Sequence, residues 1–188
     1  MITDIFDKDI VKILTFFSIS PGSNWSRKEI QEKTVLNNVP LDSALQNLLN
    51  NQFLKKEKRV YGFNFEHEEA KKMFERIKKE HQRCKEIPLN IYFAILDFSF
   101  FISNKKNVKQ IYLFGSYAKL IYTDKSDIDL AIILEKDNTT LKKEIMQYVK
   151  KLEKKYNKII ELHFFIAKDM QNKDPLIKEI QRNSITLF

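Results

Sequence analysis

The chain has 188 residues, 43% of them apolar, enough for one domain or two small ones with buried cores, which excludes wholesale disorder. Lysine and arginine number 33 against 25 acidic residues, a formal charge of +8 that favours an anionic partner such as nucleic acid, nucleotide or an acidic protein. A single cysteine, Cys84, rules out an internal disulfide and a cysteine-rich metal site; the N-terminal MITDIFDKDIVK has no signal-peptide pattern, and no run of eighteen apolar residues occurs, so a cytoplasmic protein without a membrane partner is expected.

Ile5, Phe6, Ile10, Ile13, Leu14 and Phe17 follow helical spacing and predict a first amphipathic helix, ended by Pro21-Gly22-Ser23. Ser26 with Glu29 three residues on is a capping-box pattern for a second helix from Arg27. Pro40 suits the first turn of a third, with Leu41, Ala44, Leu45, Leu48 and Leu49 on one side and Asn50-Asn51 at its end. Phe53-Leu54, the basic tip Lys55 to Arg59 and Val60 to Phe65 read as two strands around a charged turn. Three short helices followed by a basic hairpin resemble a winged helix-turn-helix domain over residues 1–66. That resemblance implies a third helix in the DNA major groove and a hairpin wing on phosphates, with Asn38, Ser43, Lys58 and Arg59 as candidate DNA contacts and a homodimer as the working form. A solvated turn and a protein-contact module explain the same charges, since fold alone does not fix function.

Residues 67–88 are dense in Lys, Arg and Glu and read as a solvated linker helix, with Ala70, Met73, Phe74 and Ile77 at helical spacing. The Arg76 and His81 within it are taken as part of its wet face. Leu89 to Ile102 forms a more apolar helix, interrupted by Asp97 and Ser99. Beyond it, Ile111 to Phe114, Asp127 to Leu134 and Ile159 to Ile166 read as strands, Leu141 to Leu152 as a helix, and Asp174-Pro175 as the cap and first turn of a last helix. The expected class is α+β, with residues 89–188 forming a mixed sheet flanked by helices.

The segment LFGSYAKLIYTDKSDIDLAIIL, Leu113 to Leu134, carries the chemistry. Glycine is scarce here, three residues where average usage gives roughly thirteen, yet Gly115 stands where a strand must turn sharply. Gly115 leaves the backbone free to approach a bound group, and Ser116 with the following amides can hydrogen-bond phosphate oxygens. Asp127 and Asp129 alternate along a strand and so share a face. Side by side they repel, which calls for a hard cation such as Mg²⁺.

Gly-Ser, ten residues, then Asp-x-Asp resembles the minimal nucleotidyltransferases of the DNA polymerase β superfamily, over residues 90–188. The resemblance implies a third acid, for which Glu161 in the strand Ile159 to Ile166 is the candidate; an edge-strand glutamate in solvent is the plainer alternative. His163 shares its face and is read either as a neighbour of that acid or, the plainer alternative, as a half-buried packing residue. The implied site has Asp127, Asp129 and Glu161 as catalytic residues and ligands of a two-metal Mg²⁺ centre, and Gly115, Ser116 and Lys119 at the phosphates of ATP or another nucleoside triphosphate. The implied reaction moves AMP from ATP onto a hydroxyl acceptor, a partner toxin being one such acceptor, as in toxin–antitoxin systems. The alternative is a DNA-binding regulator whose transferase domain senses nucleotide or is inactive. Where the family has Arg-Gly after Gly-Ser-x-Ala, this chain has Lys119-Leu120, which keeps the charge, loses the forked guanidinium and is expected either to change the turn or to crowd the nucleotide.

Overall fold

Short polar side chains set most of the helix starts. In the computed structural model, which describes residues 7–82, 84–172 and 174–187, Asp7 accepts the Asp9 amide at 2.8 Å and opens helix α1, Lys8–Ile19. Ile5 and Phe6, assigned to this helix from their spacing, lie outside the described residues. Ser26 and Glu29 form the expected capping box at the start of α2, Arg27–Thr34. Helix α3, Asn38–Asn50, begins two residues before Pro40 and buries Leu41, Ala44, Leu45 and Leu48. Strands β2, Leu54–Glu57, and β3, Val60–Phe63, pair antiparallel around Lys58-Arg59. A two-residue strand β1, Trp25–Ser26, adds to the other side of β3, giving the order β1-β3-β2. It is too short to show any periodicity in sequence. Asn51 ends α3 by donating its side-chain amide to the Asn47 carbonyl, and the left-handed residue is Gln52, at φ 58°, rather than either asparagine.

The chain divides into two compact units, one up to Phe93 and one from Ala94. Helix α4, Glu68–Gln82, buries Ala70, Phe74 and Ile77 and packs against α1, so the segment read as a linker contributes to the first unit's core. Helix α5, Leu89–Ser103, runs through the division.

The second unit holds β4, Val108–Phe114; α6, Gly115–Ala118; β5, Ile128–Leu134; α7, Thr139–Tyr156; β6, Ile160–Ile166; α8, Pro175–Asn183; and β7, Ile185–Thr186. The sheet order is β6-β5-β4-β7, with β5 and β6 parallel and the other pairs antiparallel. This is the expected mixed sheet. One face carries Ile111, Leu113, Leu130 and Ile132, all fully buried. The opposite face carries Phe114 and Ala131, on which Ile180 of α8 packs together with Leu176, Tyr112, Phe165 and Met170. Burial of each such side chain contributes about 1.5–3 kcal/mol before chain entropy is charged against it.

Asp97, which interrupts the apolar run of α5, is 1% exposed. Its Oδ2 accepts from Lys155 Nζ at 2.9 Å and from Tyr156 Oη at 2.6 Å, so the carboxylate ties α5 to the last turn of α7. Among the described residues, no helix is long and apolar enough to cross a membrane.

Candidate active site

Strand β4 ends at Phe114, and the chain turns at once into the single turn of α6. Gly115 makes this possible for two reasons. Its φ is +67°, a conformation that costs an L-residue roughly 1–2 kcal/mol. A Cβ at this position would also fall 2.0 Å from Asp129 Oδ2, so only the absence of a side chain lets the backbone lie against that carboxylate. Ser116 follows, partly exposed. The turn out of α6 closes with the Ile121 amide donating to the Ser116 carbonyl at 3.0 Å and the Leu120 amide to the Tyr117 carbonyl at 3.4 Å. Leu120 takes φ +59° to do so. The turn expected to change with the loss of glycine is therefore made anyway, with leucine in the left-handed conformation that usually belongs to glycine at helix C-termini.

Strand register assembles the acids. Asp129 pairs with Phe114 on one side and with Glu161 on the other. The parallel β5–β6 pairing then sets His163 opposite Ala131, on the same face as the two carboxylates. One ligand atom from each of Asp129, Glu161 and His163 lies within 4.8 Å of the others. His163 Nε2 is 3.2 Å from Glu161 Oε1, and its ring packs edge-on against Phe114 at 5.2 Å between centroids. Of the two readings of His163, the structure thus gives both: it packs on Phe114 and lies beside Glu161. Glu161 lies on an edge strand and is exposed, as its plainer reading has it, and it faces Asp129 all the same. Asp127, one residue ahead of β5, is close enough to add like charge at Asp129 but is not among the three converging ligand atoms.

Burial, and then the charge of Glu161, holds the Asp129 carboxyl above the usual aspartate range; Asp127 and Glu179 push the same way, and His163 opposes them. Such mutual repulsion fits a divalent cation bound by carboxylate oxygens and an imidazole.

Lys119 is ion-paired with Glu179 of α8, Nζ to Oε1 at 2.5 Å. Glu179 has no sequence signal, because in the amphipathic pattern of α8 it reads as a wet-face charge. The candidate DNA contacts lie in the first unit. Lys58 and Arg59 are exposed at the β2–β3 turn, with Lys58 at φ 54°, and Ser43 is exposed on α3. Asn38 is engaged, its Oδ1 accepting from Arg27 Nη2 at 3.1 Å and Gln31 Nε2 at 2.8 Å.

Residues 99–188 match the family model described as polymerase beta, nucleotidyltransferase. That match takes in Gly115, Ser116, Asp127, Asp129, Glu161 and His163. Two solved structures are similar to the chain, both crystal structures of the toxin–antitoxin MntA-HpeT. One, a double aspartate-to-glutamate mutant, is 18% identical with a TM-score of 0.36, covering 53% of this chain and 71% of that one. The other, a tyrosine-to-alanine mutant, is 21% identical with a TM-score of 0.34, covering 53% and 70%. No curated protein matches the chain.

Proposed function

We propose that the second half of this chain is a Mg²⁺-dependent nucleotidyltransferase that moves a nucleoside monophosphate, AMP from ATP, onto a hydroxyl group of a partner protein. The observation that carries the reading is the meeting of Asp129 and Glu161 on adjacent parallel strands beside the Gly115-Ser116 turn. Asp127, Asp129 and Glu161, with His163 at their side, are the residues that would hold the cation. When bound, Mg²⁺ supplies neutralising charge at the phosphates and eases loss of the acceptor proton.

In this reading the protein's own groups position the reactants. Ser116 and the amides of the α6 turn bind the outer phosphates, while the bare Gly115 backbone lets that turn lie against Asp129. The acceptor oxygen attacks the α-phosphorus while its proton passes to a carboxylate of the cluster or to water, the bond to the β-phosphate bridging oxygen breaks, and pyrophosphate leaves. The carboxylates' own repulsion keeps the site poised for positive charge, so little reorganisation is needed on binding. The half-exposed setting of Asp129 and Glu161 leaves room for a macromolecular acceptor.

The test uses ATP labelled at the α-phosphate, Mg²⁺ and a lysate of the host. Label should appear on a protein with α-labelled but not γ-labelled ATP and vanish with Asp129→Ala. Absence of label, or label indifferent to Asp129→Ala, overturns the reading.

A second reading concerns the first unit. The order of α1, β1, α2, α3, β2 and β3 with Lys58 and Arg59 exposed at the hairpin tip supports a winged helix that binds duplex DNA, which would make the chain a regulator. Duplex binding that strengthens steeply as salt falls and weakens when Lys58 and Arg59 become serine would support it; binding indifferent to both would remove it.

A further inference from the structure

Lys119, the cation expected at the nucleotide phosphates, already has a carboxylate on it. Its Nζ lies 2.5 Å from Glu179 Oε1, with both side chains about a third exposed, at 35% and 33%. Glu179 reaches this point because α8 is firmly seated. Asp174 accepts the Leu176 amide at 2.7 Å to start the helix, and Leu176 and Ile180 pack on Phe114 and Ala131. Phe114 is the strand partner of Asp129, and Ala131 is the next residue on the Asp129 face of β5. The residue ahead of Ile180 is thereby held on the side of α8 that meets Lys119, and its charge adds to that of the other carboxylates in raising Asp129. Glu179 does two things there. It adds a carboxylate to Asp127, Asp129 and Glu161, which attracts divalent cations and repels polyphosphate. It also neutralises the lysine that polyphosphate would use.

We propose that Glu179 is a specificity-determining residue that makes the site accept its nucleotide as the divalent-metal complex and reject the free polyphosphate, by occupying Lys119 until metal-bound phosphate displaces it. The inference rests on the nucleotide-site reading above. A free triphosphate meets four carboxylates with Lys119 already spent. The metal complex carries less charge and brings its own cation to the carboxylates, so Lys119 can leave Glu179 for a phosphate oxygen at little net loss. A glutamate that merely props Lys119 toward the phosphates makes the opposite demand, since its removal would weaken nucleotide binding with and without metal.

The experiment is isothermal titration of the full chain with α,β-methylene-ATP, which cannot be cleaved at the bond that transfer breaks, once in chelator and once with excess Mg²⁺. Relative to wild type, Glu179→Gln should bind the analogue about threefold to tenfold more tightly in chelator and within about twofold of wild type in Mg²⁺, as expected for one unit charge removed near the site. Glu179→Asp, which keeps the charge, should keep the wild-type ratio between the two conditions. In a Lys119→Met background the gain in chelator from Glu179→Gln should shrink, since only the direct repulsion remains; a gain of full size there overturns the part assigned to Lys119. Titration with Mn²⁺ alone should show weaker binding to Glu179→Gln than to wild type. Unchanged or equally weakened binding in both conditions overturns the inference and leaves the transferase reading standing. A wild-type chain that binds the analogue in neither condition overturns both.

Discussion

Asp97 and Asp129 belong to the same unit and are both aspartates set among apolar neighbours, yet their surroundings are opposite. Asp97 is almost wholly removed from solvent and receives a lysine ammonium and a tyrosine hydroxyl on one oxygen. Asp129 keeps some exposure and faces Glu161, with Asp127 and Glu179 nearby and His163 in opposition. The first is a carboxylate whose burial is offset within the fold. The second is one whose charge the fold leaves to be offset by something else. Burial alone therefore does not separate structural acids from functional ones; the balance of charge around them does.

Substitution tests that difference most sharply at Asp129 itself. Asp129→Asn is expected to lower transfer roughly 10³-fold, about 4 kcal/mol at the transition state, while leaving urea stability equal to or above wild type because a repelled charge has gone. A loss of stability comparable to that of an Asp97 variant would break the comparison. Asp97→Ala should do the reverse, costing about 3 kcal/mol in denaturant unfolding of the second unit, since Lys155 and the Tyr156 hydroxyl lose their acceptor. Activity per folded molecule should change little, and a large fall in kcat with stability intact would place Asp97 in the wrong category. Leu120→Gly is expected to raise stability by about 1 kcal/mol by relieving the left-handed backbone, partly offset by the freer unfolded chain; a decrease would show that the half-exposed leucine side chain contributes more than its backbone costs.

The smallest effect belongs to an acid paired in the open. Asp42 receives Arg27 Nε at 2.6 Å, and this hydrogen bond from the guanidinium holds its carboxyl below the usual aspartate range. A lowered folded pKa means that the stabilising contribution is fully present above the unfolded value of about 3.9 and is lost as pH falls through the folded one. The stability difference between wild type and Asp42→Asn should accordingly be small near neutrality, as for other surface pairs, and vanish in acid. A difference that persists in acid would mean that the pair is not its source.

The parts of the site legible in sequence are those whose signal is local. Gly115-Ser116 and Asp127-x-Asp129 are close along the chain, and Glu161 stands out as an acid in an apolar strand. His163 shows its face but not its company, because only the parallel pairing with β5 brings it beside Asp129. Glu179 shows nothing, since what matters about it is the seating of α8 on Phe114 and Ala131, contacts between segments far apart in sequence. The same limit applies to the first unit. The i, i+4, i+7 spacing of Ala70, Phe74 and Ile77 predicts an apolar stripe, but not that α1 covers it, and two-residue β1 has too few positions for any pattern.

The connection from α7 to β6 has a further consequence. Asn157 ends the helix at φ 49°, the Lys158 amide returns to the Glu153 carbonyl, and the Ile160 amide is held by Glu153 Oε1 at 3.0 Å, so only Lys158 and Ile159 separate the helix cap from the strand. This short splice acts as a reading frame for the chemistry. If an inserted residue there were taken up by a one-residue slip of β6 and not by the loop, the strand would be as apolar as before, yet Glu161 and His163 would turn to the far face of the sheet. The length of that loop is thus one of the things that keeps Glu161 and His163 beside Asp129.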